Sequence, residues 1–245
     1  MHRLLVCAAL LIHLLPIAAQ AADIAVLPVR VELSAGQDRQ AITVTNQGKE
    51  GVTMQVEAAA WSQTDGVDHY TPSDDLLVNP PLFTVPPGRS QILRLGLRRP
   101  AAGEKELAYR LFLREVPAAS QASARRADGK VSVLLELRLP VYVAPAKVVH
   151  SHQWRASRDA KGQIVLSVLN AGNVHLVVGE LKLRAAGARQ DAAPLAATKT
   201  SVSVLPGQSR RWVLRPEKPL TSPRVELEVA TDRGPHHVAL DLLPE

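Results

Sequence analysis

His150 and His152 stand two apart, a spacing that turns both imidazoles to one face of a strand, and His236 and His237 are adjacent. Imidazoles are what zinc chemistry uses, but a site needs three or four ligands, and no third stands at a usable spacing from His150 and His152. On a strand, His236 and His237 point apart. Asp74 and Asp75 fall in a polar turn, where acids are common because they bond their own backbone. There is no Gly-x-Ser-x-Gly elbow and no phosphate-cradling glycine loop. No cofactor, no metal and no enzymatic activity are expected.

The one cysteine, Cys7, lies in a segment with a short basic start, an apolar middle and a small-x-small end at Ala19 and Ala21. That pattern predicts a secretory signal peptide over residues 1–21, cut after Ala21. The apolar run is too short for a comfortable membrane span, so no membrane insertion of the mature chain is expected. Without Cys7 the mature chain holds no cysteine, which excludes disulfides, thiol catalysis and cysteine metal sites. Losing Arg3 lowers the formal charge from +6 to +5. The periplasm is the expected location. The basic residues come in scattered pairs (Arg98 and Arg99, Arg125 and Arg126, Arg210 and Arg211) without interleaved aromatics, and aromatics make up only 3% of the chain. Nucleic acid is therefore not an expected partner.

The elements that would position any site are strands. Residues 24–33, 40–45, 52–61, 90–97 and 106–116 alternate apolar and polar, separated by turns such as Asn46 to Gly48, Thr64 to Gly66 and Pro86 to Gly88. Short alternating runs with turns every 8–12 residues or so predict an all-β sandwich. Residues 143–147 read as a hinge. Beyond it, runs at 163–169, 174–183, 200–205, 209–214, 225–229 and 237–242 predict a second, smaller sandwich, with turns at Asn170 to Asn173 and at Pro206 and Gly207.

Residues 131–143 stand out. Val131, Val133, Leu135, Leu137, Leu139, Val141 and Val143 form an unbroken apolar face. As one strand it would run roughly 40 Å, against a usual 17–20 Å or so. Either a long core strand bends into the next domain, or part of this face serves another chain. Pro140 cannot donate to a ladder, so it marks an edge, a bulge or a strand end.

An ordered set of pieces then carries a family resemblance: residues 27–33, 44–46, Trp61 with Asp65 and Gly66, 79–81, 85–88, 93–95, 109–117 and 135–140. Together they resemble the periplasmic fimbrial (pilus) assembly chaperones of the PapD-like class, in a divergent branch. The match is looser in the second half, where residues 170–175 are its best piece. The resemblance implies two Ig-like β-sandwich domains in a boomerang arrangement, over residues 22–145 and 146–245. It implies a chaperone that caps pilin subunits by donor-strand complementation and delivers them to an outer-membrane usher, without ATP. The donor residues would be Val131, Val133, Leu135 and Leu137. Four such side chains, at roughly 1.5–3 kcal/mol each, are worth on the order of 10 kcal/mol before association costs.

The family also implies a basic anchor for the subunit's terminal carboxylate. Arg30 matches its arginine. The lysine position falls on Pro140, so the second cation must come from elsewhere, first Arg110 and then Arg138. Arg94, Glu106 and Asp232 match a charge cluster joining the domains. Plain surface roles for these charges are the competing reading. The free protein is expected to self-associate weakly. The rival function is an Ig-like periplasmic adhesion or binding module that lends no strand.

Overall fold

The computed structural model describes residues 23–100, 103–117, 133–189, 192–216, 220 and 222–244. Among them every regular element is a strand. The first ten are β1 (Ile24–Leu27), β2 (Val31–Leu33), β3 (Arg39–Asn46), β4 (Val52–Thr64), β5 (Val67–Pro72), β6 (Leu76–Asn79), β7 (Leu82–Val85), β8 (Ser90–Leu97), β9 (Leu107–Glu115) and β10 (Glu136–Val143). They form two sheets, ordered β1-β3-β8-β6 and β2-β10-β9-β4-β5, with β7 beside β4. Alternation builds the core between them: Ile42 and Val44 of β3, Leu93 and Leu95 of β8, and Leu111 and Leu113 of β9 are all buried there.

Two expectations need correction. Residues 24–33 are not one strand. Pro28 divides them: β1 lies antiparallel on β3, while β2 lies parallel on β10 in the opposite sheet. A residue without an N–H cannot carry a ladder through, and the chain changes sheet there. Nor is 131–143 one strand. Val131 and Ser132 lie outside the described residues, and β10 begins only at Glu136. The reason is its partner. The Glu115 N–H donates to the Leu135 carbonyl at 2.8 Å, and β9 ends at Glu115, so nothing extends the ladder further. The apolar face is divided accordingly. Leu139, Val141 and Val143 are buried in their own core and Leu137 packs partly against it, Leu135 is half-buried, and Val133 is 74% exposed.

The remaining strands are β11 (His152–Arg158), β12 (Ile164–Asn170), β13 (Leu176–Ala185), β14 (Ala196–Val204), β15 (Ser209–Leu214), β16 (Arg224–Thr231) and β17 (Gly234–Pro244), ordered β14-β13-β16-β17-β11-β12-β15. β17 pairs with β16 as far as Asp241, then with β11 from Leu242. That change of partner folds the two halves over a second core containing Ile164, Leu166, Leu176, Leu181 and Val229. The molecule is thus two Ig-like β-sandwiches, each with its own core.

Candidate functional site

β10 builds the site because its two faces do different work. Leu139, Val141 and Val143 point into the first core; Arg138, Pro140 and Tyr142 point the other way. Tyr142 is nonetheless only 2% exposed, because the second sandwich covers it. With Trp61 of β4 and Leu205 just after β14 it makes a small separate apolar cluster, flanked by Tyr70 and Ala108. The far end of β4 reaches across the same joint. Gln63 accepts from the Leu205 N–H at 2.9 Å and donates to the Ser203 carbonyl at 2.9 Å, as a strand edge would. The Tyr142 hydroxyl lies 2.9 Å from Ser203 Oγ, and Arg210 donates to the Gly66 carbonyl.

Beside this cluster runs a line of charges. Glu106 and His175 are both buried; Glu106 Oε1 accepts from the His175 backbone N–H and lies 2.9 Å from His175 Nδ1. The imidazole stacks on the Tyr142 ring, centroids 3.5 Å apart and planes 7° apart. On its other side, Nε2 faces Asp232 Oδ2 at 3.7 Å. That same oxygen takes Arg30 Nη1 at 2.9 Å, and Arg30 Nε reaches Glu32 at 3.1 Å. Burial alone would lower the His175 pKa; Asp232 and Glu106 outweigh it and hold the ring above the usual histidine value. Burial would likewise raise Asp232, yet His175, the Val177 N–H and Arg30 bring it down to about 2. Burial pushes the Tyr142 hydroxyl up to about 12.

The structure therefore brings Glu106 and Asp232 together across the joint, but through His175, to which the sequence pattern assigned no role. Arg94 is elsewhere. It is exposed on β8 between the inward-facing Leu93 and Leu95, with no ion pair among the described residues. The signal for His175 was one polar residue between Val174 and Leu176 in an apolar run.

A cleft of about 480 Å³ opens next to the joint, and its lining includes Arg30, Trp61, Arg110, Arg138 and Pro140. Its three expected anchors differ. Arg30 is held by Asp232 and Glu32, and Arg138 by Glu136 at 2.6 Å. Arg110 has no carboxylate partner among the described residues. Its guanidinium lies over the Trp61 ring, 3.8 Å from the centroid, with its Nε buried and unpaired. Such a stack restrains the cation and is worth about 0.5–2 kcal/mol.

Among the described residues β10 also has an open edge. Glu136 to Pro140 pair with β9 on one side, while β2 covers only Val141 to Val143 on the other. The Leu135 carbonyl bonds toward β9 and the Ala144 N–H toward β2. Alternation therefore turns the backbone groups of Glu136, Arg138 and Pro140 outward, and the missing N–H of Pro140 falls on that free side. Val131 of the expected donor set lies outside the described residues; Val133 and Leu135 lie just ahead of this edge and Leu137 within it.

The histidine pairs do not assemble a site. His152 meets His236 edge-on at 6.3 Å. Burial, followed by neighbouring cationic groups, holds His150 and His152 below the usual histidine value. No group of three His, Cys, Asp or Glu placed to hold a metal occurs among the described residues.

No curated protein sequence matches the chain. Among solved structures, it resembles a chain of the chaperone–tip adhesion subunit pre-assembly complex CsuC–CsuE from the archaic chaperone-usher Csu pili of Acinetobacter baumannii, at 20% identity and a TM-score of 0.63, covering 91% of this chain and 100% of that one. It is also similar to a chain of the Salmonella enterica SafA pilin–SafB chaperone complex, at 17% identity and a TM-score of 0.61, covering 91% and 99%. The CupB2 chaperone of Pseudomonas aeruginosa matches at 17% identity and a TM-score of 0.58, covering 89% and 100%. At these identities the likeness concerns the fold. The family model described as pili and flagellar-assembly chaperone, PapD N-terminal domain, matches residues 23–149, the stretch that holds β1 to β10. The chain belongs to the PapD-like family of pilus-assembly chaperones.

Proposed function

We propose that this protein is a periplasmic chaperone that binds pilin subunits by adding its own β10 edge to an incomplete sandwich and then delivers them to an outer-membrane usher. The observation that carries the reading is the edge from Glu136 to Pro140, unpaired among the described residues, beside a cleft holding Arg110, which has no carboxylate partner among them. An open edge with hydrogen-bonding groups and neighbouring apolar side chains is the physical requirement for strand addition. The SafB and CsuC structures are of chaperones in complex with a pilin and with a tip subunit, which supports the same partner class here.

The donor residues are Val131, Val133, Leu135 and Leu137. Val133 and Leu135 carry most of the contact with a subunit, since Leu137 already leans on its own core. Arg110, stacked on Trp61, is the carboxylate anchor together with Arg30. Arg138 assists at the rim, and Arg30 is shared with the joint. The domains divide near residue 145, and residues 1–21 direct export.

The test is co-expression with a pilin encoded nearby, followed by recovery of the complex from the periplasm. L135E is expected to abolish recovery and R110Q to reduce it about tenfold or more, the loss expected for one charged hydrogen-bonding partner. Unchanged recovery with L135E rules out strand lending through this face and leaves the Ig-like binding module as the better account.

A further inference from the structure

Asp232 Oδ2 is contested. It holds Arg30 at 2.9 Å, while His175 Nε2, buried and without a hydrogen-bond partner, waits 3.7 Å away. A buried unpaired ring nitrogen is costly, and a small movement of one carboxylate would satisfy it. Arg30 also lines the cleft. We propose that Asp232 is exchanged between Arg30 and His175: an anionic segment entering the cleft takes Arg30, Asp232 closes on His175, and a ring that is neutral in the free protein takes up a proton as the ligand binds. This rests on the strand-addition reading above and assigns regulation to the same cleft.

The proton requirement comes from the donors. His175 Nδ1 is engaged by Glu106 at 2.9 Å, so a neutral ring that donates there presents a lone pair to Asp232. Only the imidazolium donates to both carboxylates. The groups facing the ring are Glu106 from the segment before β9, Asp232 from the β16–β17 turn, and Tyr142 of β10 beneath it; Arg30, Arg233 and His150 lie farther out. The two carboxylates already favour the charged ring, and an arginine drawn away from Asp232 favours it more. Linkage then requires that a carboxylate-bearing ligand bind more weakly as the free ring loses its proton, by up to about tenfold per pH unit for one proton.

The experiment is calorimetric titration of the full mature protein, between pH 5.5 and 9 or so, with a synthetic alternating valine–threonine peptide carrying a free C-terminal carboxylate and with its C-terminal amide. The free acid is expected to lose affinity with rising pH; the amide is not. H175Q and R30Q should each flatten the free-acid profile. In the wild-type protein, the free acid should also raise the His175 titration midpoint read by nitrogen-15 NMR. Binding of the free acid with no pH slope, or a slope that survives in H175Q, overturns the exchange while leaving strand addition standing. Failure of both peptides to bind at any pH overturns both.

Discussion

Each sandwich contains the same corner, put to different use. In the first, Asn46 Nδ2 donates to the Glu50 and Val85 carbonyls, its Oδ1 accepts from the Gly48 N–H, and its backbone pairs with Gly88 and Arg89. In the second, Asn170 Nδ2 donates to the Val174 and Val204 carbonyls, its Oδ1 accepts from Gly172, and its backbone pairs with Gly207 and Gln208. Both asparagines are fully buried, and Gly88 and Gly207 both take positive φ. The corners part company just after Gly48 and Gly172. Lys49 and Glu50 are exposed. Asn173 instead bonds the Glu104 and Lys147 carbonyls and accepts the Glu106 N–H, and Val174 and His175 are buried. One local solution to turning a strand has become, in its second copy, the plug on which the two sandwiches dock. A few side chains after a shared hydrogen-bond knot decide whether a corner is surface or interface.

The strongest way to break that comparison is to cut both knots. N170A leaves two buried carbonyls without their donor and should cost about 2–5 kcal/mol in urea unfolding; N46A leaves one buried carbonyl, Val85, and one part-buried, Glu50, and should cost somewhat less, about 1–4 kcal/mol. Only N170A should also loosen the joint, read as faster hydrogen exchange at Glu106 and Tyr142. Equal exchange in both variants would mean that the second corner has no docking role. The glycines come next. A Cβ on Gly172 would meet the Val149 carbonyl oxygen at 2.5 Å, whereas the tightest contact of one on Gly48 would be the Asn46 side chain, at 3.1 Å. G172A is expected to cost about 1–3 kcal/mol and G48A less than about 1 kcal/mol.

A smaller effect separates the corners by pH. The folded-state pKa of His175 is raised, so its stabilisation is fully present below the unfolded value of about 6.5 and is lost as pH rises through the folded one. The urea midpoint should fall on that alkaline side and cease to do so in H175Q. The smallest effect is R94A, expected within about 0.5 kcal/mol and without change at the joint, because the residue is exposed and has no ion pair among the described residues.

Much of the fold was legible because alternation was clean: β3, β8, β9 and β12 to β17 lie where period-two patterning puts them. The errors have physical causes. Pro28 sits inside an alternating run, and alternation cannot report that its two halves belong to opposite sheets. Residues 131–143 read as one strand because side-chain pattern carries no information on where the partner, β9, stops. For the site, Arg30, Arg110 and Arg138 do line one cleft, but their status rests on neighbours remote in sequence: Asp232 for Arg30, Trp61 for Arg110. His175 had one faint mark, a polar residue among apolar ones, and its two carboxylates come from positions 69 and 57 residues away. Arg94 shows the converse, an attractive pairing undone by the face its strand turns outward.

The lone proline on the free margin of β10 has a bearing on geometry beyond its own strand. Past it the margin is already occupied by β2, and at it no proton is on offer, so in the strand addition proposed above a guest chain would climb only a few rungs before it must end or turn away. A stop of this kind acts as a ruler. In that arrangement, whatever terminates the guest would be measured from a fixed mark.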